Sequence, residues 1–304
     1  MLHLPIGLLG VIAIALASCN RQAAPTDGYA NVGGSRFYYQ LYGDLGSAQT
    51  PLVVLHGAYM SSAAMAPFIR PFVGNRPVIA LDARGHGRTG DLPGRFSYEQ
   101  LADDTAAVLN ALNVKRADVL GYSMGAVTAI KMAVRHPTLV GKQIVLSGTF
   151  SRAGWYPEVN EVLAQATPDA FAGTLLESEY KRLSPTPTAF PKLVSDIRAL
   201  DAANYDSSDD DVRRIAGKTM IVLGDADSVQ LEHAIALFRL RGGGDTKVAV
   251  EGFMTDAPRA RLAVLPGTAH IGMVANADVI GQLAIPFLDD RTPTTPPGFL
   301  PEKK

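Results

Sequence analysis

An α/β fold, with a mostly parallel, doubly wound sheet and an inserted helical cap, is what this chain of 304 residues predicts. Three observations carry that expectation. Short β-rich apolar runs alternate with segments whose apolar residues recur at helical spacing, the mark of parallel strands covered on both faces. One junction, Arg116 to Pro137, joins a strand and a helix through a sharp turn with a serine at its apex. The alternation then lapses from Ser151 to Val212, where aromatic residues are scattered among helical segments and Pro185, Pro187 and Pro191 interrupt, before it resumes. That lapse reads as a cap over residues 151–212, inserted into a core of 32–150 and 213–290; an irregular surface excursion is the alternative.

Composition sets the outer bounds. Hydrophobic residues make up 47% and charged residues 19%, enough for a sizeable core and too apolar for global disorder. The net charge of -1, with no basic run, gives nothing for nucleic acid to bind. The single cysteine, Cys19, excludes an intramolecular disulfide.

The elements follow in order. Leu4 to Ala17 is an apolar run too short to span a bilayer comfortably and suited to a signal h-region, although its n-region offers His3 and no Lys or Arg. It ends in Leu16-Ala17-Ser18-Cys19, which resembles the lipobox of bacterial lipoproteins. The resemblance implies a signal peptide over 1–18, lipidation of Cys19, a tether over 19–31 and a place in the cell envelope. Asn20, where aspartate would signal retention at the inner membrane, directs it to the outer membrane, facing the periplasm. Ordinary signal cleavage after Ala15-Leu16-Ala17, releasing a soluble periplasmic or secreted protein, and retention as an uncleaved anchor compete with this reading.

Arg36 to Leu41 is aromatic and strand-like; Leu52 to Leu55 and Pro77 to Leu81 are runs of the fully buried kind. A helix is expected around Ser62 to Phe72, and another from Ser97 to Leu112, where Ser97 caps and Gln100 stands three residues on. The strand–turn–helix at Arg116 to Pro137 precedes the strand Gln143 to Leu146. After the cap come the strand Lys218 to Leu223, the helix Leu231 to Leu240, the turn Gly242 to Gly244, the strand Arg261 to Leu265 and the helix Asp278 to Leu288. The tail, 291–304, is proline-rich and is not expected to fold.

Chemistry-bearing residues gather where these strands end. Gly121-Tyr122-Ser123-Met124-Gly125 fits a nucleophile elbow: the glycines leave room for a strained backbone, and the serine hydroxyl is exposed beside a helix N-terminus. A tight turn with a hydroxyl cap is the plainer reading. Other strands end in His56-Gly57-Ala58-Tyr59, Asp82 to Thr89, Gly224-Asp225-Ala226-Asp227 and Pro266 to His270. In open parallel sheets ligands bind outside such ends.

With these segments in place, the chain from Phe37 to Leu288 resembles the α/β-hydrolases of the serine type. The resemblance implies an α/β-hydrolase fold and a triad of Ser123 as nucleophile, His270 as base and an acid holding the imidazole. Asp227 matches the family's spacing from Gly224; Asp225 is the alternative. An oxyanion hole from the backbone N–H groups of Met124 and Ala58 is also implied, with Tyr59 either adding its hydroxyl or lining the pocket. Asp82, Arg84 and His86 match the family's turn-stabilising network. His56 and His86 sit in glycine turns, His136 ends the elbow helix and His233 lies on a helix face, all with structural accounts.

Serine at the apex separates this chain from relatives that open epoxides or remove halides, which carry aspartate there. The expectation is a membrane-tethered hydrolase acting on a small carboxylic ester with an apolar portion, with no metal or organic cofactor. A thioesterase or acyltransferase with the same triad, perhydrolysis as a side activity, and a non-catalytic binding module are the alternatives.

Overall fold

The structure is a computed structural model that describes residues 24–254, 256–293 and 298. The expected signal peptide, Cys19 and most of the tail lie outside the described residues.

The first finding corrects the sequence reading. Part of the expected tether, from Thr26 on, is a strand: β1 (Thr26–Val32) forms a hairpin with β2 (Ser35–Tyr42). Gly33 and Gly34, at φ 56° and 81°, make the two-residue turn, a conformation that only residues tolerant of positive φ hold without strain. Tyr29 on β1 meets Tyr38 edge to face, and the Arg36 guanidinium covers the Tyr29 ring at 4.1 Å.

The remaining strands are β3 (Leu52–Leu55), β4 (Val78–Leu81), β5 (Ala117–Tyr122), β6 (Val140–Leu146), β7 (Thr219–Ala226) and β8 (Ala260–Ala269). They form an eight-stranded sheet in the order β1-β2-β4-β3-β5-β6-β7-β8, antiparallel at the β1–β2–β4 edge and parallel elsewhere. The apolar runs are unbroken because both faces are covered: Val53 and Leu55 enter one core cluster, Leu52 and Val54 the other. Register matters most for function. Leu55 pairs with both Leu81 and Gly121, and Tyr122 pairs with Leu146, so four strands end side by side.

The helices are α1 (Ala66–Ile69), α2 (Tyr98–Ala111), α3 (Met124–Arg135), α4 (Pro157–Ala164), α5 (Leu175–Leu183), α6 (Phe190–Ala202), α7 (Asp209–Arg214), α8 (Leu231–Leu240), α9 (Thr246–Glu251) and α10 (Ala277–Leu288). The helix expected over Ser62 to Phe72 is broken: α1 is one turn between 3₁₀ turns, with Pro67 and Pro71 each near the start of a new segment. At α2, the Ser97 hydroxyl accepts from the Gln100 N–H, while the Gln100 side chain turns to Asp104. The short helix α9 follows the glycine turn, started by Asp245 and ended by Gly252 in the left-handed region; it buries no residue, so no apolar face announced it.

Between β6 and β7, α6 buries Phe190, Leu193, Val194, Ile197 and Leu200, the last against Tyr98, Met124 and Val127 of α2 and α3. By contrast, α7 crosses the expected cap boundary at residue 212 and packs on α3 and α8. Arg241, 1% exposed, fastens it there by donating to the carbonyls of Val212, Arg213, Ile215 and Gly217.

Candidate active site

Ser123 stands at the junction of β5 and α3 with φ 55° and ψ −118°. The backbone around it is closed to any larger residue. A Cβ at Gly121 would lie 2.1 Å from the Gly125 oxygen, and one at Gly125 would lie 2.3 Å from the Leu55 oxygen. The Ser123 side chain makes no cap hydrogen bond to α3, so the plainer reading as a helix cap is not what the structure has. Its Oγ lies 3.0 Å from His270 Nε2.

His270 follows the end of β8. Tyr122 stacks on its ring and donates its hydroxyl to the His270 carbonyl, while Trp155 meets the ring edge-on. Nδ1 is 2.8 Å from Asp227 Oδ1. That carboxyl group is fully covered and also accepts from the Ser147 hydroxyl and from the N–H groups of Gly224 and Val229. Burial pushes the Asp227 pKa up, but the hydrogen bond and charge of His270, with Ser147 and Gly224, outweigh it and leave the pKa lowered. An ionised carboxylate only accepts, so Nδ1 carries the imidazole hydrogen and Nε2 accepts the Ser123 hydroxyl.

Asp225, the alternative acid, is elsewhere: its carboxylate takes the N–H groups of Gly267 and Thr268 and ties β7 to the β8 loop. The two strands approach so closely that a Cβ at Gly224 would lie 1.8 Å from the Thr268 oxygen.

Ala58 and Met124 line the same crevice as Ser123 and His270. Among the described residues neither backbone N–H has a hydrogen-bond acceptor. The Tyr59 N–H does, donating to His86 Nε2 at 3.2 Å with Tyr59 at φ 63°. His86 Nδ1 in turn donates to the Arg84 carbonyl. His56 mirrors it, donating from Nδ1 to the Gly57 carbonyl and accepting at Nε2 from Ala83. The two buried rings, 4.9 Å apart, thus clasp the loop after β3 to the loop after β4. Burial and the neighbouring His56 hold His86 at about 3, and burial lowers His56 as well, so both stay neutral acceptors. Asp82 accepts from the Ser62 and Arg88 N–H groups, and Arg84 pairs with Asp104. His136 meets Asp103, and His233 accepts from the Phe150 N–H.

The crevice has a cavity volume of about 120 Å³. Tyr59, Tyr98, Trp155 and, from α4, Val159 and Leu163 give it an aromatic and apolar wall. Sequence reasoning missed three contributors. Ser147 was legible only as Ser-Gly at a strand end, and Tyr122 only as the residue before the apex. Asp201, on α6, carried no signal at all. Among the described residues no group of three His, Cys, Asp or Glu side chains is placed to hold a metal ion.

A mostly parallel sheet with serine, carboxylate and imidazole at the ends of β5, β7 and β8 defines an α/β protein built around a nucleophile elbow. The chain belongs to the alpha/beta hydrolase family, whose family model matches residues 52–282. It is similar to the (E)-2-((N-methylformamido)methylene)succinate hydrolase of Acinetobacter baylyi, 32% identical over 102 residues, 34% of this chain and 39% of that one. The chain spans about two-fifths of the length of the first curated relatives it matches. Among solved structures, the enol-lactonase of Burkholderia xenovorans has a TM-score of 0.65 at 21% identity, over 86% of this chain and 100% of that one. A meta-cleavage product hydrolase of Pseudomonas fluorescens has a TM-score of 0.67 at 21% identity, over 86% and 97%. These two likenesses concern the fold.

Proposed function

We propose that the protein is a serine hydrolase that cleaves carboxylic esters through an acyl-serine intermediate. The observation that carries the reading is the unbroken relay from the Ser123 hydroxyl through His270 to the buried Asp227 carboxylate. A serine hydroxyl is a poor nucleophile at neutral pH and needs a base within hydrogen-bond reach. His270 takes the Ser123 proton as Oγ attacks the ester carbonyl carbon, and Asp227 stabilises the imidazolium that forms. The N–H groups of Ala58 and Met124 receive the negative oxygen of the tetrahedral intermediate. Its collapse expels the alcohol, which takes the proton from His270 and leaves the acyl group on Ser123. Water, deprotonated by His270, attacks the acyl carbon and frees the acid and the serine. The aromatic and apolar crevice suits an ester with an apolar portion.

Replacing Ser123 with alanine is expected to lower nitrophenyl ester turnover by at least about 10⁴-fold while the circular dichroism and unfolding midpoint stay near wild type. Turnover retained within a few fold by a folded variant would overturn the reading.

The enzyme is further assigned to the periplasmic face of the outer membrane, held by a lipid on Cys19; the Leu16-Ala17-Ser18-Cys19 run and Asn20 support this. The full chain should partition into the detergent phase, and Cys19→Ser should move it to the aqueous phase; unchanged partitioning would refute the lipid anchor.

A further inference from the structure

The chemistry above leaves one charged group of the crevice unused. Asp201 lies in the last turn of α6 and lines the crevice with Ser123 and His270. Among the described residues its carboxylate has no hydrogen-bond partner and no ion pair. Arg152, whose charge is felt at Asp201, instead donates from Nε to the Asp201 main-chain carbonyl at 2.9 Å. Among the described residues no Lys or Arg lines the crevice. The rings of Tyr59, Tyr98 and Trp155 do. Two of these rings are held in place. The Trp155 indole N–H donates to the Tyr205 hydroxyl, and Tyr205 packs on Tyr98 with ring centroids 4.7 Å apart.

A carboxylate partly withdrawn from water without a partner is costly, and a cation against aromatic faces is attracted to their negative π-clouds. We propose that Asp201 and the faces of Tyr59, Tyr98 and Trp155 form a subsite for a positively charged nitrogen carried by the substrate. The inference rests on the ester-hydrolase reading and narrows it, from esters with an apolar portion to esters that also bear an ammonium group. Burial raises the Asp201 pKa to about 7, opposed by Arg152, which is the state expected of a carboxyl group whose counter-ion arrives with the ligand. Tyr98 from α2, Tyr59 from the loop after β3, Tyr205, Arg152 and the crevice partner His270 are titratable or charged groups around it, and the charge of Arg198, also on α6, reaches Tyr59.

Trp155 is the sole tryptophan of the chain, so its fluorescence reports on the subsite without any turnover. Choline and its uncharged isostere 3,3-dimethylbutan-1-ol are the probes. Choline should give a saturable change with a Kd at least about tenfold below that of the isostere, and Asp201→Asn should remove the advantage while Asp201→Glu keeps part of it. In turnover, kcat/KM for acetylcholine over 3,3-dimethylbutyl acetate should exceed one by a similar factor and fall towards one in Asp201→Asn. That ratio is internal to each variant and does not depend on how much of it is folded. Equal binding of the two probes, no saturable response, or an advantage that survives Asp201→Asn would overturn the proposal. Equal turnover of both esters would defeat the subsite and spare the hydrolase reading. Choline binding that needs Asp201, with neither ester cleaved, would do the reverse.

Discussion

At the strand ends the polar groups are committed to protein partners, whereas in the helical insertion above them only α6 is firmly packed and α4 and α5 bury little. Asp227, Asp82, His56 and His86 each make at least two hydrogen bonds with buried backbone or side-chain groups. In the insertion, α4 buries none of its residues, α5 buries only Tyr180, and the Asp201 carboxylate lines the crevice with no partner among the described residues. The contrast teaches a division of labour. The atoms proposed to react sit on the tightly bonded strand ends, and only the part of the wall supplied by α4, Val159 and Leu163, sits on an element that buries nothing.

The comparison breaks most readily at the elbow. Gly125→Ala would push a methyl group into the Leu55 and His56 carbonyls, and both belong to main chain leaving a central strand. We expect a loss of about 3 kcal/mol or more in urea unfolding, with turnover falling in step. A variant as stable as wild type would show that the elbow has slack. Ser147→Ala comes next. It leaves the buried Asp227 carboxylate one donor short, which should lower stability by about 1.5–3 kcal/mol and slow turnover through a less firmly held imidazole. A variant unchanged in both would mean that Ser147 is a bystander.

Acid sharpens the comparison with a smaller effect, because the two regions respond with opposite sign. Burial holds His86 at about 3 and His233 at about 4, and lowers His56. The folded state therefore binds fewer protons than the unfolded chain below about 6.5, and the stabilisation present above that pH is lost as pH falls. Asp201, raised to about 7, keeps a proton that the unfolded chain releases near about 4, so its contribution is lost as pH rises through that window. Thermal melts should show wild type weakening from about pH 7 to pH 4, and Asp201→Asn gaining a few degrees at about pH 8 but not at about pH 4. A gain of the same size at both would mean that the carboxyl group is not held out of water.

Much of the core was legible because both faces of a parallel sheet are covered, which turns strands such as Leu52–Leu55 and Val78–Leu81 into unbroken apolar runs. The elbow was legible because its glycines answer a steric demand that no other residue meets. What escaped has equally physical causes. β1 is an edge strand with one side open, so its signal reduces to the Gly33-Gly34 turn. Single residues such as Ser147 and Asp201 lie beside neighbours distant in sequence, Asp227 and the crevice rings, and no local spacing records that.

The central claim is that the Ser123 hydroxyl is made nucleophilic by His270. It is tested most directly by treating the folded protein with a fluorophosphonate, weighing the intact chain and mapping the modified peptide. The account predicts one adduct, on Ser123, forming at least about 10³-fold more slowly in a folded His270→Asn variant. An adduct on another residue, no adduct on folded wild type, or equal rates in the two proteins would contradict it.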